Sequence, residues 1–231
     1  MKQLFISLLL WLLSCLGNIS SAAQPIATVA FELEGEHMFI KLRVNDSEEL
    51  DFIFDTGAGG SAINATTARR LNLSNRKKKM ASGAAGTFKV GVIKNARIQI
   101  NDLELEKVNL ESPDLLHLEC ALGRDIDGII GYHVLKDHVV SINHDRSEMD
   151  IYAAEGFVYQ GTGQIFPIKV GTHASIDGRL TLENGAQIAG EFILDNGAGV
   201  ALAFCTPFAN KHDLLSKIEG GYAMRAVGYS T

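Results

Sequence analysis

The chain of 231 residues is long enough for one large domain or two small ones with a hydrophobic core. Its 46% of hydrophobic residues, 23 glycines and 4 prolines are typical of a folded protein rich in turns, which excludes a disordered chain. The formal net charge of −6 argues against nucleic acid as a partner, because phosphate binding requires a basic surface.

Residues 1–23 are predicted to be an export signal. Lys2 supplies a charged start, residues 4–16 are mostly apolar, and small residues precede Gln24. The alternative is lipid attachment at Cys15, because the preceding Leu-Leu-Ser resembles a bacterial lipoprotein cleavage site; the signal would then end one residue before the cysteine. Both interpretations predict a protein outside the cytoplasm, either periplasmic or secreted, and attached to a membrane only if it is lipidated.

Short runs that alternate apolar and polar residues predict a meander of strands in the first half of the chain. The first three runs cover residues 28–33, 38–44 and 50–54, with turn residues between them. Further strands are predicted at residues 96–100, 103–110, 139–142 and 149–152, and short helical segments at residues 65–73 and 132–137. These elements predict one all-β lobe over residues 26–155.

One segment of this lobe recurs later in the chain. Residues 51–59 and 191–199 share an acidic residue, three apolar residues, an aspartate, a polar residue and Gly-Ala-Gly, at an offset of 195 − 55 = 140. A buried strand that stops at glycines places Asp55, and equally Asp195, at a sharp turn. If the copies pack with pseudo-twofold symmetry, the two carboxylates lie side by side, where they cannot both ionise and can hold a water between them.

Two stretches between the copies are also informative. The sequence Gly128-Ile129-Ile130-Gly131 predicts a buried strand whose last glycine lets another backbone approach closely. The small, glycine-rich residues 81–87 predict a hairpin tip that either lies on the surface or closes over a cleft as a lid. The basic run of residues 76–79 is interpreted as a solvated loop.

The second lobe is predicted over residues 163–231; it begins near residues 165–170 and has strands at residues 179–183 and 187–194. Leu180 and Leu182 match Ile40 and Leu42 at the same offset of 140, and the repeat continues weakly through Leu202 and Phe204. Because a second Ile-Ile-Gly stretch does not follow, the second lobe is expected to be truncated.

Asp-Thr-Gly-Ala after Phe-Ile-Phe at residues 52–58, followed by Asp-Gly-Ile-Ile-Gly at residues 127–131, resembles the aspartic peptidases of the pepsin and retropepsin superfamily. Residues 128–142 are particularly similar to exported bacterial aspartyl proteases that carry both lobes in one chain. The resemblance implies an all-β, bilobal acid-protease fold, in which two pseudo-symmetric β-lobes meet at their aspartate turns.

The resemblance also implies an aspartic endopeptidase that acts on a peptide or an unfolded protein without a metal or a cofactor. One carboxylate of the pair Asp55 and Asp195 would activate a water, and the protonated partner would polarise the scissile carbonyl. The residues implied in support of the catalytic turns are Thr56, Gly57, Asn196 and Gly197, and those implied in the substrate-binding flap are Ser82, Gly83 and Gly86.

The sequence leaves two alternatives open. Asn196 stands where the family has Thr or Ser, so the reciprocal hydroxyl bonds between the turns are expected on one side only. Two alternatives to the single-chain endopeptidase follow. The chain is a non-catalytic module of the same fold that binds extended peptides, or it is a homodimeric retropepsin-like enzyme that uses Asp55 from each chain. Cys120 and Cys205 are expected either to pair in an oxidising compartment or to stay buried and unpaired.

Overall fold

A computed structural model of the chain describes residues 23–73, 77–83, 86–182 and 184–217. The predicted export signal, with its alternative lipid site Cys15, lies outside these ranges except for its last residue. The centre of the flap hairpin, residues 84–85, and the end of the second lobe from residue 218 onward also lie outside them. No helix within the described ranges is long and apolar enough to cross a membrane.

The described residues form mostly strands, which confirms the all-β prediction. The first lobe contains β1 (Ala27–Glu34), β2 (His37–Val44), β3 (Leu50–Phe54), β4 (Ser61–Ile63), α1 (Ala65–Arg70), β5 (Lys77–Gly83), β6 (Gly86–Ile100), β7 (Leu103–Ser112), α2 (Leu116–Leu122), β8 (Gly128–Ile130), α3 (Tyr132–Leu135), β9 (His138–Asn143) and β10 (Glu148–Ala153). Its ten strands form one sheet in the order β5-β6-β7-β4-β8-β3-β2-β1-β10-β9, and β2 also pairs with β6.

The central strand β3 explains why its sequence is apolar without alternation. Phe52 and Phe54 are fully buried in the larger hydrophobic core, whereas Ile53 points into a second cluster with Leu115 and Ile129. A strand that is buried on both faces needs apolar side chains at consecutive positions. By contrast, β1 and β7 have one solvent-facing side and alternate between buried and exposed residues for most of their length.

The chain crosses itself closely at the end of β3. This strand pairs in parallel with β8, and the N–H of Asp55 donates to the carbonyl of Ile130 over 2.8 Å. A Cβ atom on Gly131 would lie only 1.8 Å from the carbonyl oxygen of Asp55. The predicted close backbone approach at Gly131 is therefore confirmed, and the approaching backbone is that of the first aspartate turn.

The second lobe contains a three-stranded antiparallel sheet followed by a helix. Its elements are β11 (Lys169–Val170), β12 (Ala174–Thr181), β13 (Gln187–Ile193), α4 (Thr206–Lys211) and a 3₁₀ turn (Leu215–Lys217). Strand β11 lies within residues 165–170, where the second lobe was predicted to begin. Helix α4 repeats α1 at an offset of 206 − 65 = 141, so the repeat does continue beyond the second aspartate.

The strand register corrects one detail of the predicted repeat. Ile40 lies opposite Phe52 in the first lobe, and Ile176 lies opposite Phe192 in the second. Strand β13 therefore corresponds to β3 at an offset of 192 − 52 = 140, but β12 corresponds to β2 at an offset of 176 − 40 = 136. The predicted match of Leu180 and Leu182 with Ile40 and Leu42 is wrong, because the hairpin of the second lobe is four residues longer.

The basic run also differs from its prediction. Residues 77–79 are part of β5, which pairs with β6 over its whole length, so they belong to a strand rather than a loop. Their side chains are exposed, as expected for lysines on an outer strand of a sheet.

Candidate active site

Two aspartates follow the equivalent strands of the two lobes, and their turns have the same local geometry. Asp55 comes directly after β3, and the N–H of Gly57 donates to its Oδ1 over 2.7 Å. Asp195 follows β13 by two residues, and the N–H of Gly197 donates to its Oδ1 over 3.0 Å. In each turn, a backbone donor two residues later therefore fixes one oxygen of the carboxyl group.

Thr56 and Asn196 join the two turns across the lobes. The Thr56 hydroxyl donates to the carbonyl of Leu194 over 2.8 Å and accepts the N–H of Asn196 over 3.0 Å. In return, Asn196 Oδ1 accepts the N–H of Thr56 over 2.7 Å, while its Nδ2 points to the sulfur of Met38 at 3.2 Å. The amide thus replaces the acceptor of a second hydroxyl but not its donor, and the hydroxyl-mediated bonds are one-sided, as the sequence predicts.

Each turn also provides a glycine that faces the carboxyl group of the other turn. A Cβ on Gly57 would lie 2.3 Å from Cγ of Asp195, and a Cβ on Gly197 would lie 2.4 Å from Cγ of Asp55. Carbon atoms do not approach this closely, so any other residue at either position would push the opposite carboxyl away. The structure therefore brings Asp55 and Asp195 together, each in the space that a glycine leaves free.

The electrostatics of the two carboxyl groups are unequal. Burial, the negative charge of Asp195 and a hydrogen bond between the two carboxyls raise the pKa of Asp55 to about 7, against the N–H groups of Gly57 and Ala58, which lower it. Asp195, at the end of a more open strand, is exposed. A proton held between the two groups is therefore assigned mainly to Asp55 at mildly acidic pH.

The predicted flap is a hairpin of β5 and β6. Ser82 lies opposite Thr87 and Gly83 lies opposite Gly86, so the three predicted flap residues belong to the paired part of the hairpin. Lys79, on the same strand, forms an ion pair of 2.6 Å with Glu111. Glu111 Oε1 in turn lies 3.9 Å from the position that a Cβ on Gly60 would occupy, so this ion pair lies near the chain that leaves the first aspartate turn.

Two histidines near the aspartates were missed in the sequence. His173 Nδ1 lies 2.7 Å from the carbonyl oxygen of Gly57, so a residue of the second lobe binds the first turn. His37, at the start of β2, lies close enough to Asp195 for its pKa to respond to that charge. The available signal was a histidine where each of the two equivalent strands begins, but a uniform offset of 140 did not align the two histidines.

The described residues contain neither a metal-ligand cluster nor a disulfide. Among the described residues, no group of three or more His, Cys, Asp or Glu side chains is arranged to hold a metal ion. Cys120 and Cys205 are unpaired and exposed. Both expectations from the sequence, a disulfide between them or burial of the free thiols, are therefore wrong.

Comparison with known proteins gave one family match within the first lobe. Residues 40–134, which include the first aspartate turn, the hairpin and β8, match the family model described as aspartyl protease. The matched residues contain the two motifs on which the predicted resemblance rests, Asp-Thr-Gly-Ala and Asp-Gly-Ile-Ile-Gly. A solved retropepsin-like aspartic protease from Rickettsia conorii is similar, with 22% identity, a TM-score of 0.39 and coverage of 55% of this chain and 91% of that one. Comparison with curated proteins gave no match.

Proposed function

We propose that the chain is an aspartic endopeptidase in which Asp55 and Asp195 form a single-chain catalytic pair. The observation that carries this proposal is the reciprocal fit of the two turns, in which each glycine makes room for the carboxyl group of the other lobe. Such a fit between Gly57 and Asp195, and between Gly197 and Asp55, has no purpose in a fold that only packs strands. It brings two carboxyl groups together at a cost in free energy, and such a pair can hold and activate a water for hydrolysis.

In the proposed mechanism, the two carboxyl groups have different roles. Protonated Asp55 donates a hydrogen bond to the scissile carbonyl, and ionised Asp195 takes a proton from a water held between them. The water oxygen bonds to the carbonyl carbon, the C=O π bond opens, and the carbonyl oxygen takes the proton of Asp55, which gives a neutral tetrahedral diol. The proton on Asp195 then passes to the amide nitrogen and the C–N bond breaks. One diol hydroxyl returns its proton to Asp55 as the product carboxylic acid forms, so the pair ends with Asp55 protonated and Asp195 ionised.

The proposed substrate is an extended peptide or an unfolded protein. The β5–β6 hairpin offers backbone donors and acceptors to an extended chain, which is the mode by which strands recognise peptides. The ion pair between Lys79 and Glu111 supports a hairpin that stays near the catalytic turns. Export from the cytoplasm, which residues 1–23 predict, is part of the same proposal.

The test is peptide cleavage by the full chain and by its Asp55→Asn and Asp195→Asn variants. Each variant is expected to lose activity by a factor of about 10² to 10⁴ or more, because each removes one proton-transfer group. Wild-type activity is expected to be sensitive to an inhibitor with a hydroxyl in place of the tetrahedral intermediate. The matched control is Asp145→Asn, which removes an exposed carboxylate in a turn of the same lobe and is expected to leave activity unchanged.

Two other outcomes would each overturn the proposal in a specific way. Activity that survives Asp195→Asn, together with a dimeric protein in sedimentation, would indicate a homodimer that uses Asp55 twice. Peptide binding without cleavage at any pH between about 3 and 8 would indicate a binding module instead.

A further inference from the structure

His37 and His173 occupy equivalent positions in the two lobes. Met38 lies opposite Phe54, and Ala174 accepts a hydrogen bond from the N–H of Leu194, which is the residue equivalent to Phe54. The residues that precede Met38 and Ala174 are the two histidines, and their separation, 173 − 37 = 136, equals the offset between β2 and β12. The repeat therefore places an imidazole at the start of β2 in the first lobe and directly before β12 in the second.

Each imidazole lies against the aspartate turn of the other lobe. A Cβ on Gly59 would lie 2.9 Å from Cε1 of His173, and a Cβ on Gly199 would lie 3.9 Å from Cε1 of His37. Gly59 and Gly199 are themselves equivalent, since 199 − 59 = 140. The two histidines thus lie at matching places across the pseudo-twofold axis, and His173 lies closer to its glycine than His37 does.

Only one of the two contacts includes a hydrogen bond. A carbonyl oxygen can only accept, so the 2.7 Å contact with Gly57 requires that His173 Nδ1 carries a proton and donates it. His37 Nδ1 is buried and has no hydrogen-bond partner among the described residues. Burial lowers the pKa of His37, while the carboxylates of Glu36 and Asp195 oppose this effect. A proton on the unpartnered Nδ1 would be unfavourable, which favours a neutral ring at this position.

The His173 contact has a direct route to Asp55. Gly57 accepts the bond from His173 with its carbonyl, and with its own N–H it donates to Asp55 Oδ1 over 2.7 Å. A residue that fixes Gly57 therefore fixes the donor that orients the carboxyl group. In the other lobe, the N–H of Gly197 donates to Asp195 over 3.0 Å, and His37 does not supply a corresponding bond.

We propose that His173 is a positioning residue for Asp55, acting from the second lobe through Gly57, and that His37 is its pseudo-equivalent, which packs against the second turn without the matching hydrogen bond. This inference rests on the proposed function for its kinetic test. The bond itself is a property of the folded chain and can be tested without catalysis.

The kinetic test compares Asn and Leu at each histidine position in the full chain. Asn places an amide donor close to the position of Nδ1, whereas Leu has a similar size and no donor. We expect His173→Leu to lower kcat by about tenfold to a hundredfold with KM changed less than about threefold, and His173→Asn to retain kcat within about threefold. At the matched position, His37→Asn and His37→Leu are expected to have the same kcat as each other.

A structural test separates this inference from the proposed function. In the Asp55→Asn protein, nitrogen NMR of the rings is expected to show His173 with its proton on Nδ1. In the protein with Asp55 intact, carboxyl NMR is expected to show a higher pKa for Asp55 in His173→Leu than in His173→Asn, because a looser Gly57 stabilises the carboxylate less.

Specific results would overturn the inference. A proton found on Nε2 and absent from Nδ1 of His173 overturns it, whether or not the protein cleaves peptides. Equal kcat for the Asn and Leu variants at position 173 also overturns it, as does a rescue by Asn at position 37 that is as large as the rescue at position 173. An inactive wild-type protein with the expected NMR results would refute the proposed function and leave the histidine contact supported.

Discussion

The two aspartate turns have nearly the same geometry, but the strands that precede them are buried to very different extents. In the first lobe, Ile53 is 3% exposed and Phe54 is fully buried; in the second, the equivalent Ile193 and Leu194 are 53% and 39% exposed. Both hydrophobic core clusters belong to the first lobe, and the buried apolar residues in the described part of the second are Ile188 and Leu214. The shape of the second turn therefore depends on its own backbone bonds and on the other lobe, and much less on a core beneath it.

The polar contacts before the helix that follows each turn also differ between the lobes, and the first lobe again has more of them. Before α1, the buried Asn64 donates to Glu119 and to the carbonyl of Ile126, and its oxygen caps the helix. The equivalent residue before α4 is Cys205, which is exposed and makes no side-chain cap. A buried amide with its partners in place specifies one arrangement of neighbouring segments, and the first lobe has this device where the second has an exposed thiol.

The largest expected difference between the lobes is in the free energy of unfolding after one apolar truncation in each lobe. Phe54→Ala is expected to lower the free energy of unfolding by about 3–5 kcal/mol, because it leaves a cavity in the main core. Leu194→Ala removes a side chain that is already partly in water, and a loss of about 1 kcal/mol is expected. Urea denaturation followed by circular dichroism measures both, and equal losses would show that the second lobe has a core as well ordered as the first.

A second prediction concerns pH. The pKa of Asp55, about 7 in the folded protein, is above its value in the unfolded chain, so the native state binds the extra proton. Stability from this group is therefore present at acidic pH and is lost as the pH rises from about 4 to 7, by an amount on the order of 2–4 kcal/mol. Asp55→Asn is expected to lack this loss, while Asp145→Asn is expected to keep it. Parallel denaturation curves for wild type and Asp55→Asn across this range would contradict the assignment.

The smallest expected changes in stability come from substitutions at the contact between the two turns. Thr56→Val keeps the side-chain shape but removes the donor to Leu194 and the acceptor for Asn196, which is expected to cost about 1–3 kcal/mol. Asn196→Thr keeps an acceptor for the N–H of Thr56 and adds a hydroxyl donor near Phe54, so a change within about 1 kcal/mol is expected. Thermal unfolding of the two variants measures the difference, and an unaffected Thr56→Val protein would refute a role of this hydroxyl in joining the lobes.

Much of the first lobe was predictable because its sequence and its structure follow the same simple rules. Alternation identified β1, β2 and the later meander, and the continuous apolar run before Asp55 indicated a buried strand. The Ile-Ile-Gly stretch indicated a close backbone approach, and the steric limit at Gly131 is the physical basis of that pattern. The fit of Thr56 to the opposite turn followed from the resemblance to known proteases.

The second lobe was less predictable because the offset between the two copies is not the same along the whole repeat. The aspartate turns set the offset at 140, but a hairpin can lengthen without changing the turn, and its four extra residues moved β12 out of that alignment. Ile176 was therefore missed as the partner of Phe192, and His173 was missed as the equivalent of His37. Exposure of Cys120 and Cys205 was not predictable from spacing, because it depends on how completely the neighbouring segments cover them.

The positions of Gly57 and Gly197 imply that such a protein can be switched between a state with docked lobes and a state with separated lobes. Since each lobe contributes one carboxyl group and the space for the other, neither lobe holds the carboxyl pair alone. Moving the lobes apart would leave both β-sheets intact and would remove the repulsion from Asp195 that Asp55 experiences, so a proton would be released at neutral pH. Docking of the lobes and proton uptake are therefore two measures of one equilibrium, and mild acid favours the assembled state.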